Sequence, residues 1–454
     1  MIKFKAKTWN MIFDTSFLMM LLFFPALKGY IYKVITIFIP KLYGKPNGEE
    51  IFSAIVWGAL VLSTMGIWLK RLKYKHIVLF GAMFLFSFIM YVKEKDNPDS
   101  AFTVERFSSL YLSLMPALFY GACMKFNQNI KRYLLYGAVF TLLVNVVYLF
   151  YKNTQIEMKD DNMEFAYRIL PSVLIIIGSV VEKKIPISTI LLRLALSFAG
   201  VIFLLMQGTR GPLLCVAAFV VLLGFKTFSI KKTVMILLSL SAVVCFIIFT
   251  SLGNSLLLWM IDLFDSIGVS VRFLERLVNG EIIESTGRDV IADFLLADLK
   301  TAPYKVRGLF ADIAATKGLV GNKGYVIYVD GTYAHNIYIE IIYQFGVLIG
   351  SILFVSICIG IINNYLFSKN HYGYLISLLI TIGFVHLLIS SSYLRSTYFF
   401  VLVGTFFNKN ICKKPKPPMT SIENPLDLEK IDGKRVLLPF KLNAIISSIK
   451  GENK

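Results

Sequence analysis

Charged residues are scarce in this chain, and their scarcity excludes a soluble domain. Of its 454 residues, 17% are charged and 56% are hydrophobic, whereas soluble domains carry about 25% charge. The composition therefore predicts a polytopic membrane protein. A net charge of +19 would indicate nucleic acid as a partner for a soluble chain, but membrane topology explains most of this charge. No nucleic-acid partner is predicted.

Cysteine and the common metal and phosphate motifs are also scarce. The five cysteines contain no Cys-x-x-Cys pair and four of them lie in apolar runs, so the sequence predicts neither a disulfide framework nor a metal site. The chain has no Asp-x-Asp motif of nucleotide-sugar transferases and no glycine-rich phosphate loop ending in Lys-Ser or Lys-Thr. These absences argue against a nucleotide sugar as the donor of a transferase. No cofactor is predicted.

Apolar runs of about 20 residues, the length that crosses a bilayer, predict an all-α integral membrane protein with about twelve transmembrane helices. The predicted organisation is helices 1–9 in residues 1–252, one large extracytoplasmic loop with short helices in 253–334, helices 10–12 in 335–407, and an unstructured basic cytoplasmic tail in 408–454. The spans are predicted near 12–38, 51–69, 76–92, 107–124, 133–151, 169–181, 189–207, 212–225, 234–252, 335–362, 373–390 and 396–407.

The distribution of charge predicts the orientation of these spans. Lysine and arginine concentrate in alternate connections, which face the cytoplasm by the positive-inside rule, and both termini fall on that side. The inner connections before the tail are too short for a nucleotide-binding domain of about 100 residues. Soluble structure that handles a substrate is therefore expected outside. The basic segments are 3–7, 70–75, 125–132, 183–184, 226–232 and 409–416.

The outer loop contains a predicted amphipathic helix over residues 284–300. Thr286 and Asp289 have the spacing of a capping box, which places Arg288 in the first turn. Free N–H groups and the helix dipole favour anions at such a turn. The apolar face is predicted to comprise Val290, Ile291, Phe294, Leu295 and Leu299.

The stretch 334–350 joins the outer loop to the tenth predicted span. We expect its polar residues to lie at the mouth of a membrane helix, in contact with water, headgroups and substrate. His335 can accept a proton near neutral pH, although a histidine at a helix start is also a common capping or packing residue. Gly346 and Gly350 predict close helix packing. The polar residues of the mouth are His335, Asn336, Glu340 and Gln344.

Three arginines are predicted at the outer surface of the membrane. Arg210 lies in the tight hairpin 206–212, flanked by glycines, where its planar guanidinium suits phosphate oxygens. The alternative is an interfacial arginine that extends to lipid headgroups. Arg168 and Arg395 are placed at similar depth, and either could equally be an interface anchor.

The order of three motifs resembles the O-antigen polymerase and ligase family. These motifs are the Thr-Arg-Gly turn at 209–211, a long outer loop before the tenth span, and Ala-His-Asn at 334–336 followed by a glycine-containing helix. Thr209 stands where the family usually has serine. The resemblance covers about residues 165–390 and rests on short motifs in a shared topology.

This resemblance implies a glycosyltransferase at the outer face of the bacterial cytoplasmic membrane, whose donor is a glycan on undecaprenyl pyrophosphate. Transfer would invert the sugar and need no metal. Arg210 and Arg288 would hold the pyrophosphate leaving group, and His335 would orient or deprotonate the acceptor hydroxyl. Membrane lipids, a chain-length regulator and a flippase are the other expected partners. The further candidate substrate-binding residues are Arg168, Asn336, Tyr338 and Arg395.

Three functions stay open from the sequence. A polymerase would join lipid-linked repeat units into O-antigen or another surface polysaccharide, whereas a ligase would transfer the finished glycan to lipid A core or to protein. Both bind the same donor, and the sequence favours the polymerase. A transporter or flippase for lipid-linked oligosaccharides is the third hypothesis. Such proteins concentrate charges inside their spans and are often built from repeats. Here the predicted spans are mostly uncharged and no repeats are evident.

Overall fold

A computed structural model describes residues 6–39, 48–95, 100–126, 128–153, 162–182, 185–206, 210–266, 272–279, 288–320, 326–328 and 331–411. Within these ranges the chain is helical except for one short strand pair. The helices of the first half are α1 Ala6–Phe38, α2 Gly48–Arg71, α3 Tyr74–Glu94, α4 Val104–Ser109, α5 Met115–Cys123, α6 Gln128–Asn153, α7 Asn162–Val180, α8 Ile187–Met206, α9 Arg210–Thr227 and α10 Ile230–Phe249.

The second half contains shorter helices between the long ones. A π-helical turn, Leu110–Leu114, joins α4 to α5, and another, Thr381–Val385, joins α17 to α18. The remaining elements are α11 Ser251–Ser266, α12 Arg272–Val278, α13 Arg288–Thr301, α14 Ala311–Ala315, β1 Leu319–Val320, β2 Val326–Tyr328, α15 Ile337–Phe345, α16 Val347–Phe367, α17 Asn370–Ile380, α18 His386–Ile389 and α19 Thr397–Thr405.

The described residues contain nine helical segments that are long and apolar enough to cross a membrane, so the prediction of an all-helical multi-pass membrane protein is confirmed. Each is at least 18 residues long, close to the roughly 20 residues that a bilayer requires. They are Phe13–Phe38, Gly48–Arg71, His76–Glu94, Asn129–Tyr148, Ile187–Met206, Arg210–Thr227, Ile230–Ile247, Val347–Phe367 and Tyr372–Ile389.

The other three predicted spans fall on buried helices in the interior of the bundle. The segment 107–124 is divided by the π-helical turn, 169–181 covers the second half of α7 and the residue after it, and 396–407 contains only the nine residues of α19. Helices α5 and α19 approach closely because Gly121 and Gly404 each face the partner backbone. Most side chains of these two helices are buried, so the longer helices surround them.

The predicted tenth span, 335–362, is wrong as a single helix. The chain forms α15, breaks at Gly346 and continues as α16. Gly346 has φ 76° and ψ 160°, a conformation that is essentially restricted to glycine. The break is fixed by the segment before α14, because Val347 N donates to Pro303 O at 2.7 Å and Arg307 N donates to Gln344 O at 2.9 Å.

The packing predicted for the two glycines is therefore only half right. Gly350 packs closely, but its neighbours are the backbone atoms of Ile341 and Ile342 in α15. Gly346 forms the break between α15 and α16, and a Cβ atom there would lie 3.0 Å from the Tyr304 carbonyl group. Close packing joins α16 to the preceding short helix.

The described part of the predicted outer loop contains α12, α13, α14 and the antiparallel pair of β1 and β2. The short helices expected in 253–334 are present, although α11 already covers its first residues. The strand pair is an exception to the all-α prediction. The tail from residue 412 onward lies outside the described residues.

Helix α13 is fixed against α15 by its own small apolar core. Ile291, Leu295 and Leu299 are buried and pack with Ile342 and Tyr343. Their spacing of four residues places them on one helical face. The predicted face is correct for these three residues but wrong for Phe294, which is exposed. The predicted cap at Thr286 lies outside the described residues.

Candidate functional site

The site is built around the end of α18, where the chain turns back before α19. Arg288 Nη1 donates to the Ile389 carbonyl oxygen at 2.8 Å. Asn336 Nδ2 donates to the Leu388 carbonyl oxygen at 3.3 Å. Two segments far apart in the chain, the start of α13 and the start of α15, therefore meet at the same turn.

The backbone next to Arg210 packs against this turn. It is the first residue of α9, and the following Gly211 faces the Tyr167 hydroxyl and the Ile389 side chain. A side chain at position 211 would overlap the Tyr167 hydroxyl, so glycine allows this close approach. The Tyr167 ring stacks on the His386 ring with 3.9 Å between the centroids. Arg210 thus stands beside the turn that Arg288 binds.

His335 is held next to these arginines in a constrained backbone conformation. Its φ of 57° lies in the left-handed region, which few residues other than glycine adopt. Its ring lies 4.3 Å from the Tyr333 ring, measured between centroids. Among the described residues, the buried Nδ1 atom of His335 has no hydrogen-bond partner.

Burial sets the protonation state of His335. It lowers the pKa of the imidazole to about 4, and the neighbouring Arg288 charge contributes to the decrease. The ring is therefore neutral near pH 7, with a lone pair available on one nitrogen. A neutral imidazole can accept a proton, as a general base requires.

Arg395 and Arg106 extend the positive region. The Arg395 guanidinium lies 5.4 Å from the centroid of the Tyr333 ring, within the range of a cation–π contact. Arg106, in α4, lies 5.6 Å from the Phe310 ring centroid. Burial lowers the pKa of Arg106 and the nearby Arg395 charge lowers it further. We call Arg106, Tyr167, Arg210, Arg288, Tyr333, His335, His386 and Arg395 together the arginine–histidine cluster.

A buried polar network supports the segments that carry the cluster. Ser392 Oγ donates to Glu340 Oε1 at 2.5 Å, and Tyr393 N donates to Glu340 Oε2 at 3.2 Å. The Tyr393 hydroxyl donates to Gln344 Oε1 at 2.6 Å. Gln344 Nε2 in turn donates to Asp312 Oδ1 at 2.9 Å. The network links α14, α15 and the turn before α19.

The far end of this network reaches the residue before His335, since Ala334 N donates to Asp312 Oδ2 at 3.1 Å. Burial raises the pKa of the Asp312 and Glu340 carboxyls, which favours their neutral forms. The expectation that Glu340 and Gln344 line an open mouth is wrong, because both side chains are buried. They orient the turn and the loop that carry the cluster.

Three predicted substrate-binding residues have other contacts. Asn336 caps α15, its Oδ1 accepting from Tyr338 N at 2.9 Å and Ile339 N at 3.3 Å. The Tyr338 ring packs edge-on against Phe354, with centroids 5.0 Å apart. Arg168 Nη2 pairs with Glu164 Oε1 at 2.6 Å, and Arg168 lines a separate cleft. Their substrate-binding roles stay predictions.

Sequence reasoning missed Arg106, Tyr167 and Tyr333, and it left His386 without a role. Only His386 had a usable signal, because a titratable residue inside a predicted span is a candidate functional residue by default. Arg106 and Tyr167 are brought to the cluster by contacts with distant parts of the chain, which single-sequence patterns do not show.

The arginine–histidine cluster is rich in positive charge. Its four arginines come from separate segments of the chain, and guanidinium groups bind phosphate oxygens well. A neutral imidazole stands among them. Among the described residues, no three metal-ligating side chains come together. No family model matches the chain, and a search of curated proteins finds no match.

Proposed function

We propose that this protein is a membrane glycosyltransferase that polymerises undecaprenyl-pyrophosphate-linked oligosaccharide repeat units at the outer face of the bacterial cytoplasmic membrane. The product would be O-antigen or another capsular or extracellular polysaccharide. The observation that carries the proposal is the convergence at Ile389 of Arg288, which binds its carbonyl oxygen, and of Gly211, the residue after Arg210, with His335 within the electrostatic reach of Arg288. Arg210 and His335 also lie in the two short motifs that resemble the polymerase and ligase family.

The proposed reaction is a single inverting displacement. The acceptor hydroxyl oxygen attacks the anomeric carbon of the donor glycan, and the bond from that carbon to the pyrophosphate oxygen breaks. Undecaprenyl pyrophosphate leaves with the bonding electrons, and the hydroxyl proton passes to His335. Arg210 and Arg288 stabilise the negative charge that develops on the leaving group, as preorganised cations do.

Donor binding would also prepare His335 for its role. In the free site the Arg288 charge helps to keep the pKa of His335 near 4, so the imidazole is a weak base. A bound pyrophosphate would offset the positive charge of Arg288 and raise the pKa of His335. The base would become effective when the donor is present.

The test is the surface glycan of a deletion strain complemented with wild type, Arg288→Ala or His335→Ala. Lys300→Ala is the matched control, because Lys300 is an exposed cation on the same helix as Arg288. We expect wild type and the control to give a long glycan ladder, and the two cluster variants to give single repeat units while still reaching the membrane. A long glycan ladder in either cluster variant would contradict the proposed role of that residue.

The same experiment separates the alternatives. A ligase would leave full-length glycans on undecaprenyl pyrophosphate in the deletion strain. A transporter with no transferase activity would leave the length of the attached chains unchanged.

A further inference from the structure

A second concave site lies between α1 and α7, and its α7 residues are close in sequence to Tyr167 of the arginine–histidine cluster. We call it the α1–α7 cleft. Its volume is about 280 Å³, close to the lower end, roughly 300 Å³, of pockets that bind small molecules. This is enough space for a phosphate group with part of one sugar. Its polar and aromatic lining residues are Tyr30, Lys33, Glu49, Tyr148, Glu164 and Arg168.

Two cations and two carboxylates line the cleft, and Lys33 is the charge that stays available for a ligand. Glu49 pairs with Lys28, which stands outside the lining, at 3.1 Å, and Glu164 pairs with Arg168 at 2.6 Å. Among the described residues, Lys33 makes no ion pair, and its Nζ lies 5.4 Å from the centroid of the Tyr148 ring. Since both carboxylates already have partners, Lys33 favours an anionic group beside it.

The aromatic residues of the cleft are held in a fixed arrangement. The Tyr30 hydroxyl donates to Asn145 Oδ1 at 3.0 Å, and buried Asn145 is itself fixed by its bond to Thr141 O at 2.7 Å. The Tyr30 and Tyr148 rings meet edge to face, with centroids 4.9 Å apart. Tyrosines combine an apolar ring face with a polar end, which suits a sugar attached to a phosphate.

Apolar side chains are also exposed on the helices that line the cleft. Val34 and Ile37 of α1 and Val147 of α6 are exposed, on helices that are apolar enough to span a bilayer. A ligand with its phosphate near Lys33 could therefore place a hydrocarbon chain along these side chains. The cleft has the amphipathic character that a lipid-linked phosphate requires.

Helix α7 contributes neighbouring residues to the cleft and to the cluster. Tyr167 stacks on His386 in the cluster, while the next residue, Arg168, lines the cleft. The two environments also interact electrostatically. Burial raises the pKa of Tyr333 in the cluster, and the Glu164 carboxylate at the cleft adds a smaller increase.

We propose that the α1–α7 cleft binds the pyrophosphate and first sugar of the acceptor, a second lipid-linked glycan. This inference rests on the proposed polymerase function and assigns its second substrate site. The acceptor oligosaccharide would extend past the start of α7, so that the hydroxyl of its distal sugar reaches His335. The donor pyrophosphate would lie in the cluster. The two lipids would then contact different residues of the same helix, α7.

The test is the number of undecaprenyl pyrophosphate molecules bound by the full-length protein in phosphatidylcholine nanodiscs, counted by native mass spectrometry. We expect two in wild type. Lys33→Ala combined with Arg168→Ala should weaken one of them at least tenfold, the loss of about one charge-assisted contact, and should leave the other unchanged. Arg288→Ala should weaken the other one. Lys95→Ala, an exposed cation at the end of α3, is the control and should retain both.

A single bound molecule in wild type, or two in the Lys33 and Arg168 variant with unchanged affinities, would overturn the cleft assignment. A phospholipid headgroup could supply the same chemistry. Displacement of the cleft-bound molecule by an equal concentration of phosphatidylglycerol would therefore also overturn its role as an acceptor site. Failure of the polymerase proposal is distinguishable, because the length of the glycan chains in the deletion strain would then be unchanged whatever the number of bound lipids.

Discussion

His335 combines a strained backbone, a buried ring and a neighbouring arginine, and each of these features has a physical consequence. A left-handed φ at a residue other than glycine costs of order 1–3 kcal/mol and persists where the surrounding structure enforces it. Here the enforcing contact is the bond from Ala334 N to Asp312. Burial keeps the imidazole neutral. The arrangement maintains a proton acceptor beside positive charge.

The pH dependence of the proposed reaction should follow from this pKa. Since kcat/KM reports the groups of the free enzyme, we expect it to be constant down to about pH 5 and to fall as His335 is protonated near pH 4. Arg288→Gln removes one cause of the low pKa, so the residual activity should fall at a higher pH. An acidic limb at the same pH in wild type and Arg288→Gln would contradict this coupling.

Stability should depend on protonation of the His335 imidazole. This group binds a proton near the ordinary pKa of 6.5 in the unfolded chain and near 4 in the folded chain. Because the unfolded state binds more protons between these values, stability decreases as the pH falls from 6.5 towards 4. His335→Asn should weaken that decrease in thermal unfolding experiments.

Glu340 should tolerate loss of its charge but not loss of its hydrogen bonds. Burial raises the pKa of this carboxyl well above its ordinary value, so a neutral side chain is already favoured. We expect Glu340→Gln to melt close to wild type. Glu340→Ala would leave the buried Ser392 hydroxyl and Tyr393 N–H without their acceptor, at about 1–3 kcal/mol for each group. Equal melting temperatures for the two variants would contradict the account.

Among the helices, the break between α15 and α16 determines where the cluster lies. It allows α15 to pack on α13 through Ile342 and Tyr343, and α13 carries Arg288 to the end of α18. A continuous helix from 337 onward would direct α15 elsewhere. Gly346 is therefore a structural requirement of the site.

Gly346→Ala should destabilise the protein by about 1–3 kcal/mol, because φ 76° with ψ 160° strains any residue with a Cβ atom and Tyr304 leaves little space for one. Gly66→Ala is the matched control, since a Cβ there meets nothing within 4 Å and alanine favours a helix. Thermal unfolding in detergent measures both. A loss of stability in the control alone would contradict the role of the break.

Sequence patterns could predict the positions of most helices but not this break. Long apolar runs predicted them because a bilayer demands a fixed length of apolar helix. The break depends on hydrogen bonds to Pro303 and Arg307, about forty residues earlier, and no local pattern reports such contacts. Glu340 and Gln344 were misjudged for the same reason, because their partners are distant in the chain. Arg210 and His335 could be singled out because short motifs at the ends of predicted spans marked them, and Arg288 because it stands in the first turn of a predicted helix.

For the whole molecule, transfer from a donor at the outer face of the membrane requires the cluster to face the outside of the cell. A cysteine introduced at Asp293, an exposed position of α13, should react with a membrane-impermeant maleimide on intact cells. A cysteine at Lys73, exposed before α3, should react only after lysis. The reverse pattern would place the cluster in the cytoplasm and contradict a donor presented outside.

The most direct test of the central claim is transfer by the purified protein in liposomes that contain only an undecaprenyl-pyrophosphate-linked repeat unit and a metal chelator. Elongation should be measured together with the release of undecaprenyl pyrophosphate. We expect one lipid released for each bond formed, a loss of about 10²–10⁴-fold for His335→Ala, and a large loss for Arg288→Ala. No elongation by wild type, or equal elongation by wild type and these variants, would contradict the claim that the arginine–histidine cluster transfers the glycan.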